Sequence, residues 1–338
     1  MKKFLAMTMA AVLAMGTLTA CGGGAADNSG DAAEGATYTW KMALNSTEGD
    51  NAYDTGAAFK EKVEELTNGQ VKVELYGGAS LGSTSEVLEG MGMGVADVMV
   101  ESVGTLATFT DIANIEAAPF LINDYDHFQA VWQGEVGQEL KDAVGEAAGF
   151  KLMGGTYRGP RIVTATEKME TVEDFKGFKL RAPNLAMYLE TWNWMGSAPA
   201  PLAMNEVYTA LQQGTVDGQE NPMVDSLNYA FNEVCKYWIK TNHVYGANVV
   251  IMDADYFAGL PEDIQAAVEE AAAYASKTVS EAQQAKEQAA EAELVELGCE
   301  VIEVDHDAFA KHFDNFIDEK FPDLKVWADK IKAAAPQA

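Results

Sequence analysis

Tyr38-Thr-Trp-Lys-Met-Ala-Leu44, the segment from Tyr53 to Asn68, and Val71-Lys-Val-Glu-Leu-Tyr76 decide the fold class of this chain. The two short runs have the spacing and the β-branched or aromatic content of strands. The segment between them has helical spacing and ends at Asn68-Gly69, a stop signal. The pattern repeats with a helix over Ser85 to Met93 and a strand over Ala96 to Val100. A β-α-β-α-β order of this kind is that of a doubly wound sheet, whose ligands sit beyond the carboxyl ends of the strands. Glu101 lies at such an end.

Further along, Lys151 to Gly154, Arg161 to Ala165, Lys179 to Ala182 and Asn248 to Met252 read as strands, with helices around Leu185 to Trp194 and Ala203 to Gln213. About 300 residues follow residue 36, more than one hydrophobic core usually organises. Two α/β lobes are therefore expected, residues 37–158 with 247–286 forming lobe I and residues 159–246 with 287–338 forming lobe II. Pro261 to Leu297 has a proline at its start, no interior proline or glycine, and Gly298 after its end. That predicts one helix of about 37 residues, about 55 Å long, wider than a single lobe. Its middle, Ala271 to Ala275, is small and smooth, and leucine heptads are missing. A helix packed along both lobes is expected, with an oligomerisation arm as the alternative. The fold class is thus α/β, two doubly wound lobes joined by hinge strands and a long lobe-spanning helix.

At the other end, Lys2 and Lys3 precede an apolar run from Phe4 to Leu18, which closes on Thr19-Ala20-Cys21. Residues 1–20 read as a secretory signal, since a membrane-spanning helix needs about 20 apolar residues. The cysteine after the small residues resembles a bacterial lipoprotein signal, which implies cleavage before Cys21, lipidation of its thiol and anchorage on the outer face of the cell membrane. Ordinary export with a free thiol is the alternative. Residues 21–36 are Cys, Gly, Ala, Asp, Asn, Ser and Glu and read as a flexible tether reaching about 20 Å.

The chain carries 52 acidic against 23 basic residues, a net charge of -29, with 48% hydrophobic residues. Such a globular polyanion excludes nucleic acid and electrostatic adhesion to anionic membranes. Any anion it binds must be attracted locally, by a few arginines in a shielded cleft. Cys235 and Cys299 give no disulfide framework; free, partly buried thiols are expected over a pair. His127, His243, His306 and His312 fall in no metal spacing, and Asp305-His306-Asp307 reads as a solvated loop, so neither metal nor cofactor is expected. Enzyme signatures are also missing: there is no Gly-x-Ser-x-Gly, no phosphate-cradling loop and no zinc pattern. Gly90-Met-Gly92-Met-Gly94 precedes a strand and does not open a helix, which weakens a dinucleotide reading.

The stretch from Gly159 to Pro222 holds the residues best suited to an anion: Gly-Pro-Arg161, Gly177-Phe-Lys-Leu-Arg181-Ala-Pro183 and Asp-Gly-Gln-Glu-Asn221-Pro222. Pro183 disfavours helix at Ala182, so Arg181 sits on a stiffened strand end. A guanidinium fixed there offers a carboxylate two parallel donors, which lysine cannot. Asn221 can donate and accept at once.

These motifs, with Gly77-Gly-Ala-Ser-Leu81-Gly82, Pro119-Phe120-Leu121 and Glu206-Val-Tyr208-Thr-Ala-Leu-Gln-Gln-Gly214, resemble the extracytoplasmic solute-binding proteins of tripartite ATP-independent periplasmic (TRAP) transporters, the DctP-like family. The likeness runs from Tyr38 to about Phe321. It implies a periplasmic-binding-protein-like pair of lobes closing on a small organic anion. It makes Arg181 the principal carboxylate clamp, and gives Arg161, or alternatively Arg158, the part of a second ligand arginine. Asn221 is placed in the cleft. Glu101 and Asn45 align with cleft residues of the sialic-acid branch, and an acceptor-only Glu101 suits a hydroxylated acid better than a bare dicarboxylate. Where that branch has an acid soon after Leu-Gly this chain has Ser83-Thr84-Ser85, and where it has a cleft phenylalanine this chain has Met204, which gives up an aromatic stacking face, so acidic sugars are expected as a class without commitment to sialic acid.

The expected function is a monomeric, lipid-anchored receptor that binds an acidic sugar such as a uronate, aldonate or sialic acid and delivers it to TRAP membrane permease subunits. The alternatives are a C4-dicarboxylate receptor of the same type and, from another class, a secreted enzyme acting on acidic glycans.

Overall fold

A computed structural model describes residues 38–336. The first half of the chain builds β1 (Tyr38–Ala43), α1 (Asn51–Leu66), β2 (Val71–Tyr76), α2 (Thr84–Gly90), β3 (Val98–Ser102), α3 (Tyr125–Trp132), α4 (Glu135–Ala148) and β4 (Phe150–Ala165). There follow β5 (Lys179–Ala182), α5 (Ala186–Trp194), β6 (Ala198–Pro201), α6 (Val207–Gln212), β7 (Gly218–Pro222), α7 (Met223–Asn228), β8 (Tyr237–Lys240) and β9 (Tyr245–Asp253). Last come α8 (Ala254–Ala258), α9 (Glu262–Glu296), β10 (Glu300–Glu303), α10 (His306–His312), α11 (Phe316–Lys320) and α12 (Lys325–Ala333).

The strands run in the order β2-β1-β3-β9-β4-β7-β5-β6, with β8 paired to β4 and to β10. Parallel pairing of β1 with β2 and β3 makes one half of the sheet, and parallel pairing of β5 with β6 and β7 makes the other. The two halves share β4. Its first part, Phe150 to Pro160, runs antiparallel to β9, while Arg161 to Ala165 runs antiparallel to β7. The strands expected at Lys151–Gly154 and Arg161–Ala165 are thus the ends of one 16-residue strand. The glycines between them are bulges: the register slips between Met153 and Thr156 and again between Tyr157 and Pro160, and Gly154 and Gly159 take φ of 77° and 92°.

Bulges leave ladder groups unpaired, and α9 supplies the missing partners. Ser276 Oγ accepts from Gly155 N at 2.9 Å, Ser280 Oγ accepts from Tyr157 N at 2.9 Å, and Gln283 Nε2 donates to Arg158 O at 2.9 Å. These three residues stand at helical spacing on one buried face, beside Ala271, Ala272 and Ala275. The small side chains let the helix approach β4 closely. Over its 35 residues α9 packs on α1, β4, α7 and β10, elements of both halves, so it is the lobe-spanning helix expected above.

A prediction follows from that approach. A Cβ on Gly154 would stand 2.3 Å from Ser276 Oγ and 3.0 Å from Ala272 O, in a left-handed backbone. Gly154→Ala is expected to cost about 3 kcal/mol or more, from strain and overpacking together. Gly149, also left-handed but with open space around it, should cost only about 1–2 kcal/mol on the same change. Urea midpoints of the two variants measure the difference, and equal losses would remove the packing argument.

The C-terminal helices rest on both halves. His127 Nε2 meets Ile331 O at 2.8 Å and Trp194 Nε1 donates to His312 O at 2.9 Å. Phe313 packs on Phe120 at 5.3 Å and Phe309 on Phe175 at 5.8 Å between ring centroids. Asp305 caps α10 by accepting from Ala308 N at 3.1 Å, so the Asp305-His306-Asp307 run is a helix start. Among the described residues no helix is long and apolar enough to cross a membrane.

Candidate functional site

The second half of the sheet brings Arg181, Asn221 and Arg161 together. Arg181 on β5 stands opposite Gln219 on β7, and Asn221, two residues on, shares the Gln219 face because strand side chains alternate. Asn221 Nδ2 donates to Gln219 Oε1 at 2.7 Å and approaches Met204 Sδ at 3.8 Å. Met204 therefore stands in the same wall. Arg161 on β4 reaches it by donating from Nη2 to Asn221 Oδ1 at 2.9 Å.

The two arginines differ in what satisfies them. Arg181 is only 4% exposed, and its Nε and Nη2 donate to Leu202 O at 2.9 and 2.7 Å. It forms no ion pair with any described residue. Burial pushes this guanidinium down to about 10, against the pull of Glu220. A desolvated cation whose remaining donors lack an anion is costly until one arrives. Arg161, by contrast, is neutralised by Glu220: its Nη2 donates to Oε1 at 2.8 Å and its Nε to Oε2, while its guanidinium lies 4.9 Å over the Tyr188 ring. Burial alone would raise the Glu220 carboxyl, but Arg161 and His243 overcome it and hold it down to about 2. His243 Nε2 lies 3.2 Å from Glu220 Oε2, with Thr241 Oγ1 2.8 Å from Nδ1. Burial depresses the His243 pKa, so the ring is neutral and donates from Nε2.

Arg158 faces α7 instead, with Nη2 3.6 Å from Asp225 Oδ2. Burial raises Asp225 to about 6, with Arg158 opposing. Of the two arginines weighed for the second role, Arg161 is the one in contact with Asn221, and both already have a carboxylate partner.

A second cluster lies at the carboxyl ends of β1 and β3. Glu101 Oε1 accepts from Ser102 N at 2.9 Å and Oε2 accepts from Thr84 Oγ1 at 3.1 Å. The Asn45 amide is oriented by its neighbours: Oδ1 accepts from Thr84 N at 2.7 Å and Nδ2 donates to Gly82 O at 3.3 Å. Thr84 thus ties Asn45 to Glu101. Ser83 beside it forms a capping box with Glu86 at the start of α2, a structural use of the residue. The loop that carries Asn45 meets the other half at Asp50, which accepts from Asn228 Nδ2 at 2.7 Å.

Sequence reasoning missed Glu220, His243 and Thr84. Glu220 sits inside the quoted Gln-Glu-Asn run, but its partner is 59 residues away in the chain. Cys235 and Cys299 are free thiols, and burial pushes Cys235 up to about 12. Cys21 lies outside the described residues.

Fold and site define an α/β binding protein whose two half-sheets share a hinge strand and whose wall holds an unpaired arginine. Residues 42–322 match the bacterial extracellular solute-binding proteins, family 7 (DctP), and the chain belongs to that family. The sialic acid-binding periplasmic protein SiaP of Vibrio cholerae is 30% identical over 64% of this chain and 68% of its own length. The 2,3-diketo-L-gulonate-binding periplasmic protein YiaO of Escherichia coli is 29% identical over 88% of this chain and 92% of its own. A TRAP periplasmic solute binding protein from Roseobacter denitrificans, solved with bound L-galactonate, superposes with a TM-score of 0.81 at 28% identity, covering 87% of this chain and 98% of the other. The family expected from the motifs is the one found, and relatives named for sugar acids are among its members.

Proposed function

We propose that this protein is the receptor of a TRAP transporter that binds a hydroxylated monoacid, an acidic sugar of the uronate or aldonate class, and hands it to membrane permease subunits. The observation that carries the reading is Arg181, a buried guanidinium with no carboxylate partner among the described residues. It clamps the ligand carboxylate, with Asn221 beside it and Met204 filling the wall. Arg161 orients Asn221. Asn45 and Glu101, linked through Thr84, accept from ligand hydroxyls.

A dicarboxylate is held best where a second free cation meets its other end. Arg161 and Arg158 are both paired with carboxylates, which favours the monoacid. Those relatives named for sialic acid, diketogulonate and galactonate support the same class, against one named for C4-dicarboxylates. Residues 37–158 with 247–286 and residues 159–246 with 287–338 act as the two lobes, bending at β4 and β9. The receptor works as a monomer, carries out no reaction on its ligand and is held to the outer face of the membrane by lipid on Cys21.

A thermal-shift screen tests the ligand class. Millimolar L-galactonate or D-glucuronate is expected to raise Tm by roughly 10 °C, since a ligand at about 1,000 times its Kd contributes about 4 kcal/mol. Succinate is expected to leave Tm unchanged. Stabilisation by succinate but not by the sugar acids would overturn the monoacid reading, and turnover of either acid would overturn the receptor.

A further inference from the structure

The β1–α1 loop is tied along its length to its own half and to the elements the halves share. Gly78 N donates to Ser46 O at 2.9 Å, and Lys286 Nζ on α9 donates to Gly49 O at 3.1 Å. Asn51, the first residue of α1, donates from Nδ2 to Tyr157 O on β4 at 2.8 Å and accepts at Oδ1 from Asn248 Nδ2 on β9 at 2.9 Å. Between these anchors, Asp50 does something else. Its Oδ2 accepts from Thr47 N at 3.0 Å, which aims the carboxylate, and its Oδ1 accepts from Asn228 Nδ2 at 2.7 Å, across to the second half. Asp50 is only 3% exposed, so this charge-assisted bond is shielded from water.

Asn228 belongs to a firmly held part of the second half. It ends α7, which starts directly after Asn221-Pro222 and buries Met223, Val224, Asp225 and Ser226. Gln219 on β7 donates from Nε2 to Ser226 Oγ at 3.1 Å and accepts at Oε1 from Asn221 Nδ2 at 2.7 Å, so the wall that carries Asn221 and the helix that carries Asn228 move as one. Each partner of the Asp50–Asn228 bond therefore lies on the same short segment as a residue read above as facing the ligand, Asn45 in the first half and Asn221 in the second. A ligand that draws those two segments together brings Asp50 and Asn228 together as well.

We propose that Asp50 and Asn228 form a closure latch: positioning residues that do not touch the acid, whose bond exists only while the two halves are closed on it, and which slow its release. The geometry sets how the latch works. A hydrogen bond of this kind weakens steeply beyond about 3.2 Å, so about 1 Å of opening at this point breaks it. Once apart, both groups return to water, and the net gain from the closed bond is that of one hydrogen bond to a charged group, about tenfold or more in the ratio of closed to open protein. A contact absent from the open form does not govern capture of the acid. It acts on opening, and so on the rate at which the acid leaves. The inference rests on the reading of the two halves as lobes that close on an acid clamped at Arg181.

The experiment is stopped-flow fluorescence on the full-length mature protein with L-galactonate and D-glucuronate, in wild type, Asn228→Ala, Asn228→Asp, Asp50→Ala, the Asp50→Ala/Asn228→Ala double variant and Arg181→Ala. Asn228→Ala is expected to raise koff of the tighter-bound acid about tenfold and to leave kon within about twofold of wild type, a split that mere loosening of α7 would not produce. Asn228→Asp sets a second carboxylate against Asp50 and should raise koff further. In the Asp50→Ala background, Asn228→Ala should add less than about twofold, because its partner is already gone. If Asn228→Ala and Asn228→Asp release the acid within twofold of the wild-type rate while Arg181→Ala loses binding, the receptor reading stands and the latch is wrong. An effect on kon alone, or an undiminished effect of Asn228→Ala in the Asp50→Ala background, overturns the latch in the same way. Undiminished binding by Arg181→Ala, or a wild type that binds neither acid, removes the clamp reading and this proposal with it.

Discussion

Arg181→Ala is expected to raise the Kd of the bound acid by roughly two to four orders of magnitude, while the unliganded protein melts within a few degrees of wild type. The two effects separate because the cation has no carboxylate partner before ligand arrives. Its burial is already a cost to the empty protein, and alanine relieves it. In exchange Leu202 O loses both of its donors from Arg181, a loss of about 1–3 kcal/mol that offsets the relief. In the complex the balance changes. A buried charge pair broken from one side costs about 3–5 kcal/mol, which converts to the stated change in Kd. Arg181→Lys keeps the charge but not the planar fork, so its affinity should fall between the two. Scanning calorimetry with and without L-galactonate provides the measurement. Equal stabilisation of wild type and Arg181→Ala by the acid would remove Arg181 from the site.

How far these residues could be read from the chain depended on where their partners lie. β1, α1 and β2 announce themselves because each carries its own start and stop, and β2 falls on Val71–Tyr76 as the alternation predicts. α9 is nearly as legible, with Pro261 before it and Gly298 after it. β7 is not. Gly218-Gln-Glu-Asn-Pro222 is fully buried yet has no apolar alternation, since its polar side chains are satisfied by Arg161, Thr164, Ser226 and His243 from elsewhere in the chain. Its strand character is a property of the assembled site. β6 was hidden differently: Ala198-Pro-Ala-Pro201 tolerates two prolines because it is an edge strand paired on one side only.

The hinge offered a signal that local reading could have used. Ser276, Ser280 and Gln283 lie at i, i+4 and i+7 on the alanine face of α9, where a purely structural helix would bury apolar groups. Three polar residues in that register point to unpaired backbone opposite them. Gly154-Gly155 and Gly159 are where that backbone lies, and read together the two patterns would have joined the separate strands into β4. The site itself divides the same way. Arg181 was visible because its motif and its stiffened strand end are local. That Arg161 is occupied by Glu220 was not, for it depends on the β4–β7 register.

Glu220→Gln is expected to be the most destabilising conservative change in the cleft wall. Glu220 is 0% exposed and is the counter-charge of Arg161, 3% exposed, so the variant leaves a buried guanidinium without its anion. The loss is about 3–5 kcal/mol, roughly 10 °C in Tm for a chain of this size. Its pH dependence identifies the cause. The folded-state pKa, about 2, lies below the ordinary 4.5, so ionised Glu220 contributes stability that is fully present above pH 5 and is lost as pH falls toward 2. Glutamine has no such proton to take up. The gap between wild type and variant should therefore be widest at pH 7 and shrink through that acid window, as read from urea midpoints at pH 7, 4 and 3. A gap that stayed constant down to pH 3 would mean that Glu220 holds the wall by shape and hydrogen bonding alone, with its charge contributing nothing. Because Arg161 also donates to Asn221 Oδ1, the same variant should weaken acid binding even where the fold survives, since an Arg161 without its counter-charge holds the Asn221 amide less firmly.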